Sequence, residues 1–196
     1  MITERFDAAF VDIGNEAMRR IFTMLPNVYS VLDPTYGHGF FYKLTPWLKI
    51  LGGDIDEKRA KDVILDMRYL PFKNNSFDCC VLDPPFLHSS RKKGTKAPSF
   101  RKLGQRKRQS CSQLLELYKQ AGKEAFRVAR QIVIMKCADM VDTTELIPIA
   151  ARLIQMFGDP WEILITTHTQ GALPAQGRIL HFRHNYVYYL VWKIKS

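Results

Sequence analysis

Val81-Leu82-Asp83-Pro84-Pro85-Phe86 is the stretch that decides the fold. A short apolar run from Cys79 to Leu82 ends in a carboxylate, two prolines and an aromatic ring. Neither proline has an N–H to offer a ladder, so a strand must stop there. That predicts Asp83 at the carboxyl end of a buried strand, where open α/β sheets bind ligands. Two consecutive prolines also stiffen the backbone, so the carbonyl oxygens and the Phe86 ring point in fixed directions. A fixed carboxylate, a fixed carbonyl and an aromatic face suit a planar group bearing an –NH2. The plain alternative is an ordinary Pro-Pro turn with a satisfied aspartate.

Towards the amino terminus the same pattern recurs. Val28 to Leu32 reads as a buried strand that stops at Asp33-Pro34, followed by Thr35-Tyr36-Gly37-His38-Gly39-Phe40-Phe41. A strand, an acid and a Gly-x-Gly turn before a helix form the first crossover of a nucleotide-binding α/β domain. Glycines let the backbone approach a ligand, and the helix expected next would bring its amino end to the site. His38 reads as a loop residue rather than a base. Trp47 to Gly53 is a second strand closing on Asp54-Ile55-Asp56, and Asp54 stands where a ribose diol is held. Asp56 or Glu57 suits a helix cap better. Asp62 to Leu65 is a third strand, followed by Asp66-Met67. Asp66 could accept from an adenine amino group under Met67, or be a turn aspartate beside a core methionine.

On the carboxyl side, Arg91, Lys92, Lys93, Lys96, Arg101, Lys102, Arg106, Lys107 and Arg108 carry nine positive charges with no acid among them. The chain's net charge is +10, so the remainder is close to neutral. A basic tract directly after Asp-Pro-Pro-Phe points to a polyanionic substrate, against the alternative of a solvated charge run. Ser112 to Ala129 reads as an amphipathic helix and Gln131 to Lys136 as a fifth strand. A helix from Asp142 or Thr143 to Phe157 leads to a sixth strand, Trp161 to Thr166. Tyr186 to Lys193 is the last strand, and with no helix before it the two should pair antiparallel. The loop between them would carry Arg178, Arg183 and His184 to the same edge as the aspartates. Thr3 to Met24 reads as helix, with Asp12-Ile13-Gly14 the place where it would break.

The 196 residues suffice for one domain with a sizeable core, and no linker divides them. No apolar run approaches membrane-spanning length and no basic-then-apolar leader opens the chain. Cys79, Cys80, Cys111 and Cys137 show no metal-ligand spacing, so they read as buried thiols in a reducing, cytoplasmic setting, with no metal.

Together these motifs resemble the Rossmann-like S-adenosylmethionine-dependent methyltransferases that modify exocyclic amino groups. Their signature of Asp, Asn or Ser, then Pro-Pro, then an aromatic matches Asp83-Pro84-Pro85-Phe86. The cofactor signature resembles Asp33 to Gly39, the ribose acid matches Asp54 and the adenine-side acid matches Asp66. The Leu70-Pro71-Phe72, polar turn, Phe77-Asp78 stretch is also similar. The resemblance implies a mostly parallel seven-stranded sheet with an antiparallel last strand and helices on both faces. It implies S-adenosyl-L-methionine held by Asp33, Tyr36, Gly37, Gly39, Asp54, Ile55, Asp66 and Met67. It implies methyl transfer to adenine N6 in nucleic acid, DNA ahead of RNA, with Asp83, Pro84, Pro85 and Phe86 at the amine. The basic insertion at 87–111 and the loop at 167–185 would then recognise substrate, alone or with a partner protein. Cytosine-N4 methylation uses the same chemistry but usually has Ser at the Asp83 position. Protein-glutamine methylation uses Asn-Pro-Pro-Tyr, and a non-catalytic partner subunit need not keep the cofactor residues.

Overall fold

Residues 77–82 show why the sheet lies inside the molecule. Cys79 and Val81 face one side and Cys80 and Leu82 the other, and all four are fully buried. A strand covered on both faces belongs in the middle of a parallel sheet. The structure, a computed structural model, describes residues 6–11, 15–84, 111–142, 145–167 and 186–194. In chain order the elements are β1 (Ala9–Val11), α1 (Glu16–Thr23), β2 (Ser30–Asp33), a 3-10 turn (Phe40–Tyr42) and β3 (Lys49–Asp54). Next come β4 (Val63–Ile64), β5 (Phe77–Leu82), α2 (Cys111–Val128) and β6 (Ala129–Cys137). The last are β7 (Met140–Asp142), β8 (Glu145–Ile147), α3 (Ile149–Phe157), β9 (Glu162–Thr167) and β10 (Tyr186–Lys193).

Eight strands form one sheet in the order β1-β9-β10-β6-β5-β2-β3-β4. All neighbours are parallel except β10, which runs antiparallel to both β6 and β9. Helices α2 and α3 cover one face, packing Leu114, Tyr118, Ala125 and Leu153 on Leu32, Cys80, Val133 and Leu190. Helix α1 and the 3-10 turn cover the other, with Met18, Ile21, Phe22 and Tyr42 on Val31, Val81, Ile134 and Tyr189. Among the described residues no helix is long and apolar enough to cross a membrane.

Three expectations need correction. The sheet has eight strands rather than seven, because part of the expected first helix is strand: Ala9–Val11 pairs with Ile165–Thr167 at the β9 edge. Only Glu16–Thr23 is helical, and it buries Ala17, Met18, Ile21 and Phe22. The helix expected from Asp142 or Thr143 starts later, at Ile149, because Met140–Asp142 and Glu145–Ile147 form a hairpin. The crossovers after β2 and β3 contain no α-helix. Residues 34–48 carry one 3-10 turn, and residues 55–62 are too few for the dozen or more that a helical crossover takes.

The edge remote from the expected site is tied by Asp78. One carboxylate oxygen accepts the Tyr29 and Ser30 N–H groups (3.1 and 2.8 Å) and the Ser30 hydroxyl (2.9 Å). The other accepts from Arg130 Nε (2.7 Å) and Gln131 Nε2 (2.8 Å). Burial would raise this carboxyl, but the Ser30, Tyr29 and Arg130 bonds outweigh it and hold the group far below the ordinary range. Its stabilising effect is therefore complete above about pH 4, the unfolded value, and is lost as pH falls towards the folded one. Asp78→Ala strands two N–H groups and should cost about 3 kcal/mol at pH 7. Urea unfolding at pH 7 and pH 3 checks this: the deficit against the parent protein should shrink at the lower pH.

Candidate active site

Chain direction reverses beside β2. From β2 the chain adds β3 and β4 on one side, then returns to add β5 on the other. The gap at the carboxyl ends of β2 and β5 is thus a topological switch point, where such sheets bind ligands. The parallel pairings bring Asp33, Asp54, Asp66 and Asp83 to this one edge.

Asp33 closes β2 and is 1% exposed. Its Oδ1 accepts the Thr35 N–H and the Thr35 hydroxyl, both at 2.9 Å. Its Oδ2 accepts the Tyr42 hydroxyl at 2.7 Å. Burial raises this carboxyl to about 6, against the lowering effect of the Tyr42 and Thr35 bonds. Asp33 therefore shapes the turn from within. Tyr36 N–H donates to the Gly53 carbonyl (2.9 Å), which fastens the turn to β3. Gly39 has φ +65°, and a Cβ there would collide with the Tyr36 ring. That ring also lies against Gly52 and stacks on Tyr42, with centroids 6.0 Å apart and planes 6° from parallel.

Thr35 joins the two halves of the site. While its hydroxyl donates to Asp33, the same oxygen accepts the Asp83 N–H at 2.8 Å. The glycine turn and the Asp-Pro-Pro corner are thus one hydrogen-bonded unit. Asp83 Oδ2 accepts from Lys136 Nζ at 3.1 Å, and the two side chains are 24% and 15% exposed. Burial raises the Asp83 carboxyl and the Lys136 ammonium opposes that rise. The ammonium also lies 4.8 Å from the Phe41 ring centre and 6.0 Å from that of Tyr189. Tyr118 Oη donates to the Lys136 carbonyl at 2.7 Å, which anchors that end of β6 from α2.

On the other flank, Asp54 Oδ1 accepts the Asp56 N–H at 2.9 Å in an Asx turn, and no helix follows for Asp56 or Glu57 to cap. Among the described residues nothing donates to its Oδ2. Ile55 next to it is strongly exposed. Asp66 accepts from Arg68 on both oxygens, by its backbone N–H (2.9 Å) and its guanidinium, and Arg68 holds the carboxyl below its ordinary value. Met67 is partly buried against the core.

The structure thus brings together Asp33, Tyr36, Gly37, Gly39, Asp54, Ile55, Asp66, Met67, Asp83 and Pro84 at one edge. Pro85, Phe86, the nine basic residues from Arg91 to Arg108, Arg178, Arg183 and His184 lie outside the described residues. Thr35 and Lys136 were missed by sequence reasoning. Lys136 could have been found, as the one charge in the apolar run Ile132 to Cys137. Thr35 carried no comparable signal.

No family model and no curated protein matches the chain. Solved structures do. A putative RNA methyltransferase from Pyrococcus horikoshii superposes with a TM-score of 0.53 at 14% identity, over 91% of this chain and 82% of that one. The protein PH0851 gives 0.52 at 14% identity, over 93% of this chain and 47% of that one. A SAM-dependent methyltransferase from Archaeoglobus fulgidus covers 91% of this chain and 93% of its own at 12% identity, but at 0.48 the superposition is too loose to argue from. At such identities the likeness is one of fold, and the chain folds as a Rossmann-like methyltransferase domain does.

Proposed function

We propose that the protein transfers a methyl group from S-adenosyl-L-methionine to the exocyclic N6 amino group of adenine in nucleic acid, with DNA ahead of RNA. What carries the reading is the Thr35 bridge, which couples the turn at Asp33 to the acceptor corner at Asp83 across neighbouring strands. The residues suit the cofactor: Asp54 keeps an acceptor oxygen for a ribose hydroxyl, and the left-handed backbone at Gly37 and Gly39 leaves the turn without side-chain bulk. When bound, that cofactor supplies an electrophilic methyl carbon on a positively charged sulfur.

The protein's own task is to hold and polarise the amine. Adenine's amino nitrogen is a poor nucleophile because its lone pair is delocalised into the ring. Asp83 and the Pro84 carbonyl would draw its two hydrogens and favour a more tetrahedral nitrogen. The same acceptors stabilise the positive charge that the nitrogen acquires with the methyl group, before it gives up a proton. A base inside a duplex must be flipped out, or be unpaired, to reach such a corner. Incubation with methyl-labelled cofactor and separate DNA and RNA pools, followed by nucleoside analysis, tests the reading. N6-methyladenine in one pool supports it, and its absence from both overturns it.

The basic tract is proposed to hold phosphates. Changing Lys92, Lys93, Arg106 and Lys107 to Gln should weaken substrate binding. It should also flatten the plot of log affinity against log salt by about 0.9 for each phosphate that is no longer neutralised. Fluorescence titrations at several salt concentrations measure this, and an unchanged slope would make the tract a solvated charge run.

A further inference from the structure

We propose that Lys136 is the positioning residue for Asp83, holding Oδ2 so that Oδ1 is the oxygen offered to the target amine. The inference rests on the methyltransferase reading and adds to it a residue outside the Asp-Pro-Pro corner. Three observations carry it. The ammonium is 3.1 Å from Oδ2, and among the described residues nothing donates to Oδ1. Strand register fixes the lysine, because β5 and β6 pair Leu82 with Met135 and so bring the next residues, Asp83 and Lys136, abreast. Lys136 stands opposite Tyr189 on β10, and its head lies near the faces of Phe41 and Tyr189. Rings and carboxylate together confine it, since a cation near aromatic faces gains from staying there.

The pairing has a chemical consequence. A half-buried carboxylate beside a second acid tends to take up a proton, and a protonated Asp83 could offer the amine a hydrogen in place of a lone pair. Among the described residues, the charged and titratable groups around it are Asp33 from β2, with Tyr42 behind it, Tyr118 from α2 and Lys136 from β6. Among these groups the lysine alone carries a positive charge, so it alone favours the carboxylate. Removing it raises the Asp83 pKa, and the acid limb of activity moves to higher pH.

Two measurements on the full-length protein separate this from its alternatives. Carbon-detected NMR titration of the Asp83 carboxyl, without substrate, should show the midpoint rising by about one to three units in Lys136→Met. In Lys136→Arg it should return to near the wild-type value. Methyl transfer measured from pH 5 to 9 should show the same displacement of its acid limb in Lys136→Met, with activity recovering at high pH. A folded Lys136→Met protein with an unmoved carboxyl midpoint overturns the inference. A moved midpoint in a protein that methylates no adenine leaves the pairing intact and sinks the assigned reaction instead. If Lys136→Met does not fold, Lys136→Gln provides the same two readings.

Discussion

Asp83→Ala should cut methyl transfer by about 10²- to 10³-fold, the scale on which preorganised polar groups at a reacting centre act. Cofactor affinity should change little, because the turn from Asp33 to Gly39 is built by Asp33, Thr35 and Tyr42, none of which needs the Asp83 side chain. Thr35 bonds the Asp83 backbone N–H, which alanine retains. The substitution does take the carboxylate away from the half-buried Lys136 ammonium, so some loss of stability is expected as well. Adding Lys136→Met should restore stability without restoring turnover. Labelled-methyl transfer, calorimetric cofactor binding and thermal melts on the single and double variants give the three readings. Wild-type turnover in Asp83→Ala would remove the carboxylate from the mechanism.

Gly39→Val should abolish binding of S-adenosyl-L-methionine, and more completely than the same change at Gly37. Both glycines have left-handed backbone, at φ +65° and +58°, so a β-branched side chain is strained at either. The difference lies in what surrounds them. At Gly37 the nearest atom to an added Cβ is the Thr35 carbonyl oxygen, 3.8 Å away. At Gly39 the new side chain meets the Tyr36 ring, which already lies against Gly52 and stacks on Tyr42. Tyr42 in turn donates to Asp33, so displacing Tyr36 disturbs the strand end itself. Calorimetry with each folded variant measures the ranking. Equal affinities for Gly37→Val and Gly39→Val would mean that the Tyr36 packing does not matter to the site.

What could be read from the residues, and what could not, follows from the range of the interactions. Carboxylates at strand ends were legible because each follows an apolar run and two precede proline, both local signals. The antiparallel β10 followed from the lack of a helical sequence pattern between the last two apolar runs. Strand β1 was not legible, since Phe6, Phe10, Ile13 and Ala17 repeat at helical spacing while Ala9–Val11 is held by an edge 156 residues away, Ala9 opposite Ile165. The β7–β8 hairpin was hidden because Asp142-Thr143 reads equally well as a helix cap. Lys136 and Asp83 lie 53 positions apart and meet only through the pairing of β5 with β6. The Thr35 bridge depends on one hydroxyl's orientation, which no pattern of residue types reports.

The crossover after β2 has a last consequence. A long helix starting there would set roughly half a positive elementary charge at the mouth of the site, the summed macrodipole of many aligned peptides. The single 3-10 turn at Phe40–Tyr42 is too short to sum to such a field. Any anionic group arriving at this mouth therefore finds no summed helix field to draw it in. Capture from a distance must then come from cations elsewhere on the chain, and the turn itself is left to judge shape.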